Sequence, residues 1–290
     1  MRIYEKNDGL ILENVSSFDL FHTFDCGQCF RWNYEEDGFS GVAFGEYLHI
    51  CQRDGKIIFK DTSLDTFNRV WKHYFDLERD YEKIKAELSQ DSVLKNAISF
   101  GGGIRILNQD AFECLISFII SASNNIPRIK KIIELLCLNF GDEFSKGGRI
   151  YHKFPTADTL SRLSLEDLSV IKAGFRDKYI LSAAKAVSSG QLDLDALKKA
   201  SFEYAKSQLL RLSGVGEKVA SCILLFGLEK HEGFPVDVWV KRIMEYCYFD
   251  SEQTKETISE FAKNKFGSLG GFAQQYLFYW ARENKIGIKE

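Results

Sequence analysis

The chain changes texture once, and that change limits the folds open to it more than any single motif does. From about residue 8 to 60 it reads as short aromatic or β-branched runs: "LILENV", "CFRWNYE", "FSGVAF", "EYLHICQ" and "KIIFKD". Asp37-Gly38 and Asp54-Gly55 punctuate these runs and signal hairpin turns. From about 64 onward the apolar residues recur at helical spacing, as at 112, 115, 116, 119 and 120 in "AFECLISFIISASNN". "IPRIKKIIELLCLNFG" follows, with Pro127 near a helix start and Gly141 at its end, and further helical patterns run to "GGFAQQYLFYWAREN". The expectation is an α+β protein. A small antiparallel sheet domain with its following helices occupies 1–105, and a larger all-helical domain occupies 106–290.

Composition narrows the class. A hydrophobic fraction of 45% with only 3 Pro fits well-filled globular cores. No apolar run approaches the roughly 20 residues that span a bilayer, and the opening "MRIYEKNDGL" lacks an apolar signal core. Seven Cys, an odd and scattered set, make no disulfide framework, so a reducing cytoplasm is expected. The net charge of −3 argues weakly against a nucleic-acid partner. Cations nevertheless cluster in "PRIKK", "GFRDKY" and "WVKRI", and net charge says nothing about local patches.

The most informative stretch is "LLRLSGVGEKVASCILL" (209–225), two apolar helical patterns joined by Ser213-Gly214-Val215-Gly216. The glycines permit a tight turn and leave the first amides of the next helix bare. Bare amides at a helix N-terminus bind anions, so such a hairpin grips a nucleic-acid phosphate without reading sequence. An isolated Gly-x-Gly more often just connects two packed helices. Lys218 lies just inside the second helix. On the hairpin alone, it reads as a lysine that pairs with a phosphate.

The longer string "LSGVGEKVASC" followed by "GFPVDVWVKRI" resembles the helix–hairpin–helix, Gly-Pro-Asp superfamily of DNA glycosylases, and most nearly the 8-oxoguanine DNA glycosylases of the eukaryotic type. "GQCFRW", "SNNIPRI", "GFRDKYI" and "GFAQQYLF" fall in that family's order, so the resemblance covers nearly the whole chain. It implies a bifunctional glycosylase and AP lyase of base-excision repair acting on duplex DNA that contains 8-oxoguanine. Lys218 would be the nucleophile: an amine displaces the base at C1′ and leaves a Schiff base, which permits β-elimination. Asp237 would be the essential carboxylate, in a position that also suits a helix N-cap.

The same resemblance implies the binding residues. Gly214, Gly216 and Val219 would grip phosphate. Gly27 would present a backbone carbonyl to the N7 proton that 8-oxoguanine has and guanine lacks. Gln274 would face the Watson–Crick edge, Phe278 and Cys222 the two ring faces, and Phe226 the pocket wall. Asn124, Asn125, Arg128, Phe175 and Arg176 would fill the vacated space and address the opposite base, where planar Arg donors suit an unpaired cytosine. The chain departs from the family pattern at Ser123, Phe175, Phe226 and Trp239, which implies weaker preference for cytosine opposite the lesion. No cofactor is needed for catalysis, though a structural monovalent or divalent cation at the hairpin is expected. A monomer associated with the nucleoid is also expected.

Rival readings differ by residues. The 3-methyladenine type lacks the hairpin lysine, and the endonuclease III type carries a C-terminal four-cysteine cluster, whereas no Cys follows Cys247. Activity on other damaged purines, or a silent DNA-binding module with the same hairpin, remain as alternatives. Cys26 and Cys29 form a C-x-x-C, yet zinc needs four ligands and no second such pair exists. A dithiol would sit in a βαβ setting rather than among hairpin strands. No metal site is expected, and both thiols read as small packing residues.

Overall fold

The computed structural model describes residues 1–6, 9–249 and 251–288. Strands β1 (Arg2–Lys6), β2 (Gly9–Glu13), β3 (Trp32–Glu35), β4 (Gly38–Ala43), β5 (Glu46–Arg53) and β6 (Lys56–Lys60) form one sheet in the order β1-β2-β6-β5-β4-β3. Every neighbouring pair is antiparallel. Asp54 and Gly55 both take positive φ between the paired Arg53 and Lys56, the type I′ turn that suits strand twist. The first hairpin turns one residue earlier than its Asp-Gly suggests. Glu36 and Asp37 make the turn, and Gly38 already pairs with Glu35 as the first residue of β4.

Three elements were not expected from the sequence. β1 precedes the region read as strands. Leu20–Asp25 is a helix within that region, capped by the Asp19 side chain, which accepts from the His22 amide. The run "CFRWNYE" is strand only from Trp32, so residues 26–31 are loop. A two-stranded hairpin, β7 (Glu143–Lys146) with β8 (Arg149–His152), interrupts the helical half.

Two apolar cores result. The first lies between the sheet and the segment 67–77 and is dominated by Trp32, Phe59, Phe67, Trp71 and Phe75. The Trp32 indole N–H there donates to the Tyr74 hydroxyl at 2.7 Å, so burying the ring leaves no unpaired donor. The second core fills the helical body. The helices Tyr81–Leu88 and Ser92–Gly101, read from sequence with the sheet domain, place Tyr81, Ile84, Leu88, Leu94 and Ala97 in this second core.

The stretch "FDCGQCFRW" is the seam between the two. Phe24, Cys29 and Trp32 point into the sheet core, and Cys26 and Phe30 into the helical core. Arg31, at its end, pairs with Glu113 at 3.5 Å and donates to the His152 carbonyl at 2.5 Å. Tyr47 of β5 stacks on Tyr151 of β8, with centroids 4.1 Å apart. The β7–β8 hairpin therefore fastens the helical body to the sheet.

Candidate active site

The hairpin folds as its glycines require. The helix Phe202–Leu209 ends, the turn closes through Val215 N–H to the Leu212 carbonyl at 3.1 Å, and the helix Glu217–Phe226 begins. Gly214 sits at φ +86°, and a Cβ there would lie 2.5 Å from the Tyr179 ring, so both conformation and packing demand glycine. Gly216 caps the second helix with no side-chain bond and faces open space. The first intrahelical bond runs from the Ala220 N–H to the Gly216 carbonyl. The amides of Glu217, Lys218 and Val219 therefore precede the ladder and stay bare for an anion. The Val219 side chain is itself buried, so only its amide is available for that purpose.

Lys218 leaves this turn inward. Its ammonium lies 5.1 Å from the centre of the Phe118 ring, a cation–π contact. Around it, Cys26, Gly27, Cys222, Phe226, Pro235, Asp237, Gln274, Gln275 and Phe278 line a cavity of about 40 Å³. Five of the expected binding residues and both expected chemical groups thus converge from four separate stretches of chain.

Asp237 is the N-cap of the helix Val238–Tyr248, and its Oδ1 accepts from the amides of Trp239 at 2.9 Å and Val240 at 2.8 Å. Burial pushes its carboxyl above the usual range, opposed by the Val240 amide and then by the Lys218 charge. Both caps fall on Oδ1, which leaves Oδ2 out of the capping bonds. Burial likewise raises the Cys222 thiol, again against Lys218, so it stays a neutral, compact surface.

Gln274 is 4% exposed, and its Oε1 has no hydrogen-bond partner among the described residues. A buried acceptor left unpaired costs about 1–3 kcal/mol, which a water or ligand in the cavity would recover. Phe278 is half-buried against Gly27, with the Arg282 guanidinium 5.5 Å from its ring centre. Phe226 stacks on Phe118, with centroids 5.5 Å apart and planes 16° off parallel. Gly27 sits at φ +76°, and a Cβ there would come within 3.3 Å of Phe278 Cε1.

The residues expected to address the opposite strand do not line this cavity, and they differ in exposure. Asn125 caps the helix Ile126–Phe140 by accepting from the Arg128 amide, while Asn124 binds the Ile120 carbonyl and the Asn125 amide. Arg128 is exposed, and Phe175 is 58% exposed, an unusual state for a large apolar ring. Arg176 is buried, with its guanidinium donating to the carbonyls of Ala122, Ser123 and Ala173. In this arrangement it braces the turn ahead of Asn124 and stacks under Phe175 at 4.3 Å.

Sequence reasoning missed Phe118, Pro235 and Gln275 as pocket residues, and read Cys26, which also lines the cavity, only as a packing residue. It also missed Gln109, whose side chain donates to the Gln28 carbonyl at 2.7 Å while its own amide donates to the Phe226 carbonyl at 3.0 Å. The thiols of the C-x-x-C stay protonated. Burial pushes Cys26 up to about 12 and Cys29 well above the ordinary range. Among the described residues no group of three or more His, Cys, Asp or Glu gathers around a metal position.

Comparison with known proteins agrees with this geometry. Residues 10–115 match the family described as 8-oxoguanine DNA glycosylase, N-terminal domain. Residues 116–267 match the HhH-GPD superfamily of base excision DNA repair proteins. A solved Clostridium acetobutylicum 8-oxoguanine glycosylase/lyase, in complex with double-stranded DNA containing cytosine opposite 8-oxoG, is 44% identical; it covers 99% of each chain, with a TM-score of 0.95. The N-glycosylase/DNA lyase OGG1 of Arabidopsis thaliana is 33% identical over 88% of this chain and 75% of its own length. A probable N-glycosylase/DNA lyase of Methanothermobacter thermautotrophicus is 31% identical over 79% of each.

Fold and hairpin together define a DNA glycosylase of base-excision repair. The chain belongs to the HhH-GPD superfamily, in its branch of 8-oxoguanine N-glycosylase/DNA lyases. It is a bifunctional DNA glycosylase and AP lyase.

Proposed function

We propose that the cavity receives an 8-oxoguanine flipped out of duplex DNA, that Lys218 displaces it, and that Gly27 recognises it. The observation that carries this reading is the convergence of Lys218, Asp237, Gly27, Gln274 and Phe278 on one cavity. The bare amides after Gly216 hold a phosphate of the lesion strand, which sets the sugar beside Lys218. A cavity of about 40 Å³ is far below the ~300 Å³ of ordinary small-molecule sites, so the base enters by moving side chains. Half-buried Phe278 is the wall with most room to give.

In the cavity the base lies between Phe278 and Cys222. Its Watson–Crick edge meets the unpaired Oε1 of Gln274, and its N7 proton meets the Gly27 carbonyl. Guanine has no proton there, so it leaves a dry acceptor unpaired and loses affinity. The Lys218 amine attacks C1′ as the glycosidic bond breaks and the electron pair leaves with the base. Asp237 stabilises the positive charge that develops on the sugar. The C1′–O4′ bond of the sugar then breaks, an amine proton passes to O4′ and a Schiff base forms; it acidifies the C2′ proton, whose loss expels the 3′ phosphate. Amine and carboxylate both come from the chain, so the reaction needs no cofactor; a structural cation would belong at the hairpin.

On the opposite strand, exposed Phe175 enters the vacated space and Arg128 offers donors to the orphaned base. Phenylalanine at 175 brings no hydroxyl, which supports a relaxed preference for the opposite base. A reducing cytoplasm suits seven free thiols, six of them buried. The protein acts there on nucleoid DNA as a monomer. No helix among the described residues is long and apolar enough to cross a membrane.

Borohydride trapping on a duplex with 8-oxoguanine opposite cytosine tests the chemistry. A covalent adduct forms with the unmodified enzyme and disappears in Lys218→Gln. Failure of the unmodified enzyme to trap would overturn the lysine mechanism.

A further inference from the structure

The carbonyls of residues 25–28 are treated unequally. The Asp25 carbonyl accepts from Arg282 Nη2 at 2.6 Å, the Cys26 carbonyl from Gln275 Nε2 at 3.3 Å, and the Gln28 carbonyl from Gln109 Nε2 at 2.7 Å. Gly27, between them, accepts no hydrogen bond among the described residues. The loop is also pinned from within. The Gln28 side chain, fully buried, donates to the carbonyls of Thr23 and Arg105 at 2.8 Å each and accepts from the Leu107 amide at 2.9 Å. The three carbonyls that flank Gly27 in this run are therefore already occupied.

We propose that Gln109 and Gln275 are positioning residues for lesion recognition. They consume the flanking carbonyls so that Gly27 presents the only free acceptor of the run, in one fixed orientation. The proposal rests on the reading of Gly27 given above. Gln109 has the larger part, because it also joins two elements. Its side chain holds the recognition loop, and its backbone amide holds the Phe226 carbonyl at the end of the Lys218 helix. Removal of that side-chain amide frees the Gln28 carbonyl and lets the peptide after Gly27 rotate, so a second acceptor competes and the discriminating one drifts. The backbone bond to Phe226 survives such a change, and Lys218 stays in place.

Gln109→Met keeps the length of the side chain and deletes its donor. Three duplexes, carrying 8-oxoguanine, guanine or a preformed abasic site opposite cytosine, separate the possibilities under single-turnover conditions. β-Elimination at the abasic site uses Lys218 but has no base to read. The expected result is a loss of 8-oxoguanine excision of about tenfold, with abasic cleavage within about twofold of the unmodified enzyme. Gln109→Glu, which has the same length but a carboxylate that cannot donate to the Gln28 carbonyl, gives the same pattern and carries the test if Gln109→Met does not fold. Gln275→Met, which also lines the cavity, lowers 8-oxoguanine excision by less, in keeping with its longer bond. Equal loss on the lesion and abasic duplexes makes the glutamines merely structural and overturns the proposal, as does no loss on either. If the unmodified enzyme excises guanine as readily as 8-oxoguanine, the reading of Gly27 itself falls. If it discriminates and the variants discriminate equally, only the positioning role falls.

Discussion

Replacement of Gly27 by alanine probes recognition with the smallest change available. The residue sits at φ +76°, where an L side chain costs roughly 1–2 kcal/mol. The new Cβ would lie 3.3 Å from Phe278 Cε1 and 3.7 Å from Arg282 Nη1, so the ring must give by a few tenths of an ångström. The chain escapes this strain by rotating the peptide, which withdraws the carbonyl from the N7 proton, or by pushing Phe278 off its stacking position. Keeping the bond to the base costs the strain, and giving it up costs about 1 kcal/mol instead, so the loss is about 1–2 kcal/mol. That corresponds to a fall of roughly 5- to 30-fold in single-turnover excision of 8-oxoguanine opposite cytosine. Cleavage of a preformed abasic site by the same variant should change less than about threefold, because Lys218 and Asp237 stand on other elements. Excision of 8-oxoguanine within threefold of the unmodified enzyme would refute the assignment of Gly27 as reader.

Two further outcomes follow from the site. Asp237→Asn keeps an N-cap acceptor, so thermal stability should move by less than the ~1 kcal/mol that Asp237→Ala costs. Excision should nevertheless fall at least about a hundredfold in both; a fully active Asn variant would reduce Asp237 to a cap. Cys26→Ala with Cys29→Ala should lower the melting temperature through lost packing while leaving excision intact and the zinc content nil; loss of activity with stability preserved would restore a chemical role to the thiols.

Much of the fold was legible because local rules and tertiary packing agree. Asp54-Gly55 turns as its residue types demand, and Asp110, Ser201 and Thr254 cap the helices that their spacing announces. The misses have physical causes. β1 lies at the sheet edge with no buried residue, so it carries no alternation of apolar and polar positions. β7 and β8 are similarly shallow, and the Gly147-Gly148 turn that joins them was masked by strong helical patterns on both sides. The roles proposed for Lys218, Asp237 and Gly27 rest on a resemblance that spans the chain; spacing alone left Lys218 a phosphate partner. Gln109 and Gln275 gave no local sign, because an amide that satisfies a carbonyl 81 or 249 residues away leaves no periodic trace.

Those same separations bear on how the enzyme comes into being. The hairpin that bears Lys218 is built from neighbours and can close as soon as its two helices exist. The opposite wall joins Asp25 and Cys26 to Arg282 and Gln275, contacts that span 257 and 249 positions. Closures of such length form late in folding. A nascent chain that has emerged only as far as residue 260 would own the hairpin and Lys218, proposed above as the DNA grip and the nucleophile, without the far wall of the pocket. On the proposed reading, therefore, the capacity to hold DNA precedes, during synthesis, the capacity to choose a base.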